Sequence, residues 1–98
     1  MDINKLMKQA QAMQAELEKA NEQLNAMEFE GSASNGLVKV TMNGEFKVKS
    51  VDVDPSILNA DDKDMIQDLI MIATNDASDK VDKSKKEKFG SMTKGLKF

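Results

Sequence analysis

The stretch that decides the fold is GLVKVTMNGEFKVKSVDVDPS, residues 36–56. Two runs of strand-forming residues, 37–42 and 45–53, flank Asn43-Gly44, the dipeptide most typical of a tight β-hairpin turn. Upstream, apolar and small residues alternate with polar ones from residue 28, which is the period of a strand. Residues 28–54 therefore predict a three-stranded antiparallel meander.

The hairpin turn also predicts a register. If Asn43-Gly44 forms a two-residue turn, Val40 faces Lys47 and Thr41 faces Phe46, so that neither face of the sheet is uniformly apolar. Such a sheet is expected to be partly covered on both sides, by helices and by a second subunit. The apolar phase shifts between Val48 and Val51, which predicts a β-bulge near Lys49-Ser50.

A long helix is predicted before the sheet, over residues 3–27. Its apolar residues recur at alternating spacings of three and four, the pattern of a heptad seam. The seam consists of Ile3, Leu6, Ala10, Met13, Leu17, Ala20, Leu24 and Met27. A helix of this length, close to 40 Å, needs a partner helix along most of its seam, and we expect the C-terminal helix to be that partner.

A second helix is predicted over residues 59–88, after Asp54-Pro55-Ser56 ends the sheet. Gly90 and Gly95 bound a frayed tail, residues 89–98. The whole chain, 1–98, is then a single domain of the α+β class with the order α-β-β-β-α. Because one helix enters the sheet and the other leaves it, the long N-terminal helix is expected to run antiparallel to the C-terminal helix.

The composition of the 98 residues excludes much of enzyme chemistry. The chain has no cysteine, histidine, tryptophan or tyrosine, so it lacks thiolates, the usual general base and the commonest metal ligand. We expect no enzymatic activity, no cofactor, no metal and no small-molecule substrate. The sequence shows neither a secretory signal nor an apolar run long enough for a membrane span, which indicates a cytoplasmic protein.

Charge is unevenly distributed along the chain. The net charge is −3, but residues 80–98 hold seven lysines and only two acidic residues. If the two helices are antiparallel neighbours, Lys5 and Lys8 lie beside this basic segment and form one positive tip far from the sheet. All 14 basic residues are lysines, which suit phosphate better than the two-pronged recognition of a base.

Four segments together resemble the YbaB/EbfC family of bacterial nucleoid-associated proteins. They are residues 6–14 (LMKQAQAMQ), 36–44 (GLVKVTMNG), 53–56 (VDPS) and 73–77 (ATNDA). The resemblance implies a cytoplasmic, tweezer-like homodimer whose sheets form the dimer centre and whose first and last helices contact double-stranded DNA. The sequence departs from the family in having no arginine, which argues against base-specific readout and favours contacts to the DNA backbone.

The candidate site residues follow from the charge pattern and the resemblance together. The candidate DNA-binding residues are Lys5, Lys8, Lys80, Lys83, Lys85, Lys86 and Lys88. The candidate dimer-interface residues are Leu37, Val38, Val40, Phe46, Val48 and Val51. Further lysines, Lys39, Lys47 and Lys49, either line a DNA-facing surface of the sheet or lie on a solvated strand face. Asp61, Asp62 and Asp64 are interpreted as charges that favour a helix N-terminus, not as a metal site.

One alternative function comes from a different class. Two long helices joined through β-hairpins are also typical of a coiled-coil adaptor or a prefoldin-like holdase. Such a protein would bind clients through apolar groove residues, would have no affinity for DNA and would be insensitive to salt.

Overall fold

The computed structural model describes residues 2–93 and contains two helices around a three-stranded sheet. Helix α1 spans Ile3–Ala26, strands β1, β2 and β3 span Glu28–Ala33, Val38–Asn43 and Val48–Val53, and helix α2 spans Lys63–Thr93. Two short 3-10 helices, Pro55–Ile57 and Ala60–Asp62, connect β3 to α2. The strands are antiparallel in the order β1-β2-β3. The predicted α-β-β-β-α order of an α+β fold is confirmed.

The register of the β2–β3 hairpin differs from the prediction. Val40 pairs with Val51, not with Lys47, because the turn begins one residue later, contains three residues instead of two, and is followed by a bulge in β3. The Phe46 N–H donates to the Asn43 carbonyl at 3.1 Å, and Phe46 adopts a left-handed φ of 63°, as in a type I turn followed by a bulge. The predicted bulge near Lys49-Ser50 is confirmed: Thr41 pairs with Ser50 and Met42 with Val48, which leaves Lys49 as the extra residue.

This register sorts the sheet into one apolar face and one polar face, so the expected mixture on both faces is wrong. Helix α2 packs on β1 and β2 and, with these strands, forms most of the buried core. The buried core residues are Ala33, Val38, Val40, Met42, Ile57, Ala73, Ala77 and Val81. The opposite face carries exposed polar side chains such as Ser32, Lys39 and Asp52. Helix α2 therefore covers the apolar face of the sheet, and within residues 2–93 the polar face is largely exposed.

Helix α2 lies so close to β1 that position 31 has no room for a side chain. A Cβ added at Gly31 would meet the carbonyl oxygen of Ala73 and the backbone nitrogen of Ala77. This contact places two alanines of α2, both fully buried, directly over the strand. The glycine is therefore required by helix–sheet packing and not by its own backbone conformation.

Two side chains of α2 bind the outer edge of β1. Asp76 Oδ2 accepts from the Ser32 N–H at 3.0 Å, and Lys80 Nζ donates to the Glu30 carbonyl at 2.7 Å. The hydrogen bond from Ser32, reinforced by the charge of Lys80, lowers the pKa of Asp76 below its ordinary value. Asp76 thus satisfies an edge group of the sheet, the local hydrogen-bonding role that a polar Asn75-Asp76 pair in mid-helix suggests.

Among the residues that the structure describes, helix α1 contacts the sheet and α2 near its C-terminal end. Leu24 is fully buried and its carbonyl packs on Gly44, whereas Ile3 and Leu6 are 69% and 48% exposed. The chain is accordingly elongated, with extents of 72 × 21 × 16 Å. The expectation that most of the α1 seam packs against α2 is wrong for the described residues, because the first part of α2 packs on the sheet instead.

The connection from β3 to α2 is ordered by its own polar groups. Asp54 Oδ1 accepts from the Ser56 N–H at 2.8 Å, which caps the first 3-10 helix and lowers the pKa of Asp54.

Helix α2 continues past Lys88 and through Gly90 to Thr93, so its predicted end is too early. The last part of the predicted tail, 94–98, lies outside the described residues. Neither α1 nor α2, as far as they are described, is long and apolar enough to cross a lipid bilayer.

Candidate nucleic-acid interface

The C-terminal part of α2 presents five lysines within nine residues, at positions 80, 83, 85, 86 and 88. Two of them form ion pairs with acidic residues one turn earlier on the same helix. Lys80 Nζ lies 3.5 Å from Asp76 Oδ2 and Lys86 Nζ lies 3.0 Å from Asp82 Oδ2. Both pairs are largely exposed to solvent, so each contributes little to stability. The Lys86 ammonium stays accessible to other anions, whereas the Lys80 ammonium is also bound to the Glu30 carbonyl.

Two further lysines of this segment connect α2 to other elements. Lys85 Nζ lies 4.6 Å from the centroid of the Phe46 ring, in the β2–β3 turn, a cation–π contact. Lys88 Nζ donates to Gln23 Oε1 at 3.4 Å. The basic segment therefore lies where the hairpin turn meets the C-terminal end of α1. The sequence does not mark Gln23 as a contact residue, because no local pattern shows which residue of α1 lies beside α2.

The structure does not bring Lys5 and Lys8 to this segment. Lys5 precedes Gln23 by 18 residues of continuous helix, which is about 27 Å at 1.5 Å per residue. The prediction of one positive tip formed by both chain ends, far from the sheet, is therefore wrong within a single chain. The physical reason is again the path of α2, whose basic segment contacts the sheet through Lys80 and the hairpin through Lys85.

Three of the candidate lysines, Lys5, Lys8 and Lys83, have ammonium groups available to bind an anion. All three are exposed, and none has an ion pair or hydrogen-bonding partner for its ammonium among residues 2–93. They can therefore approach an anion without first breaking an interaction within the chain.

Two of the three lysines of the sheet lie beside carboxylates of the sheet region. Lys39 Nζ lies 4.0 Å from Glu30 Oε1, and Lys47 Nζ lies 3.4 Å from Glu45 Oε2. Lys49 is the extra residue of the bulge and is exposed. Carboxylates beside two of the three lysines reduce the positive potential on this side of the molecule.

The candidate dimer-interface residues divide into two groups. Val38 and Val40 are fully buried beneath α2, so they are core residues and do not reach a partner surface. Phe46, Val48 and Val51 are exposed, at 43%, 47% and 48%, although the two valines share the apolar face of the sheet. Leu37 is half-buried and packs against the core. An uncovered apolar strip thus remains on β3, next to α2.

The acidic residues near the start of α2 do not form a metal site in this structure. Asp61 and Asp62 lie in the second 3-10 helix and Asp64 in the first turn of α2. Throughout residues 2–93, no group of three or more acidic side chains converges in a way that could hold a metal ion.

Comparisons with known proteins agree with this architecture. The fold is similar to the crystal structure of uncharacterized protein HP0035 from Helicobacter pylori, with a TM-score of 0.78 and 26% sequence identity. The match covers 94% of this chain and 97% of the Helicobacter chain. Residues 1–96 match the sequence model of the YbaB/EbfC DNA-binding family. Since that match spans nearly the whole chain, the protein belongs to the YbaB/EbfC DNA-binding family.

Proposed function

We propose that the protein binds double-stranded DNA as a homodimer, mostly through phosphate contacts with limited sequence specificity. In this role it is a nucleoid-associated protein of the cytoplasm that organises the chromosome and influences gene expression. The observation that carries the proposal is the family match over residues 1–96. The surface lysines described above are consistent with it and indicate where the DNA would lie.

The proposed mode of binding follows from the type and position of the positive charges. Because the chain as a whole is acidic, attraction to DNA must come from local basic segments, with repulsion elsewhere. All the basic side chains are lysines, which act as mobile point charges and do not make the bidentate contacts to guanine that arginine makes. Binding is therefore expected to tolerate many sequences.

We assign the DNA contacts to two patches. The α2 patch consists of Lys83, Lys85, Lys86 and Lys88, and the α1 patch consists of Lys5 and Lys8. Their separation along α1, about 27 Å, is shorter than the roughly 34 Å of one turn of B-DNA, so both patches of one chain can reach the same duplex. Lys80 is expected to contribute least, because its ammonium is bound to the β1 edge.

The dimer is proposed to form through β3. The edge of β1 is bound by Asp76 and Lys80, whereas β3 is the other edge of the sheet and carries the half-exposed valines Val48 and Val51. Apolar surface of this kind gains free energy when a second copy covers it. Phe46 and Leu37, at the two ends of the hairpin strands, would extend the same interface.

Sedimentation equilibrium tests the proposed dimer. We expect the wild-type chain to sediment as a dimer and the Val48→Ser/Val51→Ser variant to shift to a monomer with its circular dichroism unchanged. The matched control is Ile3→Ser/Leu6→Ser, which removes two exposed apolar side chains from α1 instead. A monomeric control together with a dimeric β3 variant would place the interface on α1 and contradict the proposal.

Fluorescence anisotropy with a labelled random-sequence duplex tests the phosphate mechanism. If a dimer neutralises about six phosphates, the logarithm of the association constant falls against the logarithm of salt concentration with a slope of about −5. An affinity that is the same at low and physiological salt would contradict binding through phosphates.

Charge reversal tests the location of the contact. We expect Lys83→Glu/Lys85→Glu/Lys86→Glu to abolish DNA binding while the protein remains dimeric. The matched control, Lys39→Glu/Lys47→Glu/Lys49→Glu, changes the net charge by the same amount on the sheet. Because Lys49 lies in β3, sedimentation first establishes that this control is still a dimer, and the dimer should then bind within a few-fold of wild type. If instead the control loses binding and the α2 variant retains it, the sheet lysines form the DNA surface.

The exposed seam of α1 favours one alternative, a holdase or coiled-coil adaptor. Ile3, Leu6 and Met13 are apolar, exposed and unpartnered within residues 2–93, as the client-binding helices of such a protein would be. The discriminating measurement is light scattering from an unfolding client protein. Salt-insensitive suppression of aggregation, by a chain that shows no affinity for DNA, would support the holdase over the nucleoid-associated function.

A further inference from the structure

The chain contains two Asn-Gly pairs, and both lie in connections between strands. Asn35-Gly36 is in the β1–β2 turn and Asn43-Gly44 begins the β2–β3 turn. In such pairs the backbone nitrogen of the glycine can attack the asparagine side-chain carbonyl carbon, because glycine has no Cβ to hinder closure of the five-membered ring. The surroundings of the two asparagines decide whether this reaction proceeds.

The structure holds the Asn43 side chain in place. Asn43 is 8% exposed, and its Oδ1 accepts from the Glu45 N–H at 2.9 Å and from the Lys47 N–H at 3.1 Å. The following Gly44 packs beneath the carbonyl oxygen of Leu24. Ring closure would require both hydrogen bonds to break and the turn to leave α1.

The Asn35 side chain, in contrast, is not held in place. It is exposed, and it occupies a turn in which three successive residues, Ser34, Asn35 and Gly36, have φ values of 53°, 57° and 88°. The turn is closed by a single long hydrogen bond, from the Leu37 N–H to the Ser34 carbonyl at 3.3 Å. Neither the Asn35 side chain nor the Gly36 N–H has a hydrogen-bonding partner among residues 2–93. Both reacting groups are therefore accessible to water and free to approach each other.

We propose that Asn35 is a site of spontaneous deamidation and that the fold protects Asn43 from the same reaction. The Gly36 nitrogen, after losing its proton to water, bonds to Cγ of Asn35, and the bond from Cγ to the side-chain nitrogen breaks with release of ammonia. Water then opens the cyclic imide at either carbonyl, which produces aspartate or isoaspartate at position 35. The reaction is a hydrolysis, so it consumes one water and needs no oxidant or reductant.

The product changes the β1–β2 turn in two ways. Each deamidated chain gains one negative charge at an exposed position, and the isoaspartate product also adds one methylene group to the backbone of the turn. The lengthened backbone would weaken the Leu37–Ser34 hydrogen bond that closes the turn. The modification is independent of the proposed DNA contacts, which lie on α1 and α2.

Peptide mass spectrometry of the full chain, aged at mildly alkaline pH, tests the proposal. Cleavage after lysine separates the two pairs, since Asn35 falls in residues 20–39 and Asn43 in residues 40–47. In the folded chain we expect Asn35 to convert about 30-fold faster than Asn43, the factor that follows if exposing Asn43 costs two ordinary hydrogen bonds. In urea, where the fold is lost, the two rates should become similar.

Two controls keep the result unambiguous. Asn35→Gln should abolish the acidic product that fragmentation assigns to position 35 of the first peptide, which also contains Asn21 and Asn25, without changing the second peptide, because a glutamine side chain closes a larger ring more slowly. Isoaspartate methyltransferase, used as a probe, should label the aged wild-type chain and not this variant. Equal conversion at Asn35 and Asn43 in the folded chain, or no conversion at Asn35, would overturn the proposal.

Discussion

Replacement of Gly31 by alanine tests the close contact between α2 and the sheet. The added Cβ would overlap the Ala73 carbonyl and the Ala77 backbone nitrogen, and would lie 2.9 Å from the Ala77 Cα. All of these are backbone atoms, so no side chain can rotate to make room, and α2 must move away from β1. That movement loosens a core in which Ala73, Ala77 and Val81 are fully buried.

The expected cost is near the upper end of the range for overpacking, about 3 kcal/mol in free energy of unfolding. For a domain of this size that corresponds to a fall of roughly 12–24 °C in melting temperature. Urea denaturation followed by far-ultraviolet circular dichroism measures the loss, with both proteins at the same concentration because dimerisation would contribute to stability.

Gly90→Ala is the matched control, because it makes the same chemical change in α2. Among the described residues, no atom outside the neighbouring backbone of α2 lies within 4 Å of a Cβ added at Gly90, so alanine should raise stability, by up to about 1 kcal/mol, through its higher helix propensity. If Gly31→Ala unfolds at the wild-type urea concentration, α2 does not lie as close to β1 as the structure places it.

Three further predictions concern α1, the hairpin turn and the edge of β1. Leu24→Ala should lower the free energy of unfolding by about 2–5 kcal/mol because Leu24 is fully buried. Replacement of the exposed Leu6 by alanine should change it by no more than about 0.5 kcal/mol. Equal losses in urea denaturation would show that a partner covers the α1 seam. Asn43→Ala should cost about 2 kcal/mol, since two backbone N–H groups lose their acceptor, and a wild-type urea midpoint would contradict this role. The pKa of Asp76 lies below its ordinary value of 3.8. The ionised Asp76 carboxylate therefore stabilises the fold at neutral pH, and this stabilisation is lost as the pH falls through the lowered pKa. Asp76→Asn should therefore flatten the acid side of the stability profile, and a parallel loss of stability in both proteins below that pH would refute the assignment.

Much of the fold was predictable because its signals are local. The spacing of apolar residues in 3–27 indicated α1 to within one residue at its C-terminal end. Alternation from residue 28 indicated β1, and the strand-forming runs on both sides of Asn43-Gly44 indicated β2 and β3. The bulge at Lys49 was visible as a shift in apolar phase. The register of the hairpin was not predictable in this way, since it depends on the Asn43 side chain that bonds two backbone N–H groups and so stabilises a three-residue turn.

The candidate site was predicted less well than the fold. The lysine-rich segment 80–88 was recognisable from composition, but its contacts with Phe46 and Gln23 were not. The buried positions of Val38 and Val40 were also hidden, because the assumed register distributed apolar residues over both faces of the sheet. In each case the missing information was a contact between segments distant in sequence.

The amino-acid sequence by itself determined the α-β-β-β-α order, the family and the all-lysine character of the basic segments, since each depends on residue type and on spacing along the chain. Only the tertiary structure decided where α2 runs, and therefore which charges are neighbours. Because α2 packs on β1 through Gly31, Ala73 and Ala77, its basic segment lies beside the last turns of α1, and the described residues leave the first turns of α1 uncovered. The position of a helix on a sheet is set by close packing of small residues over many contacts at once, and no local pattern records it.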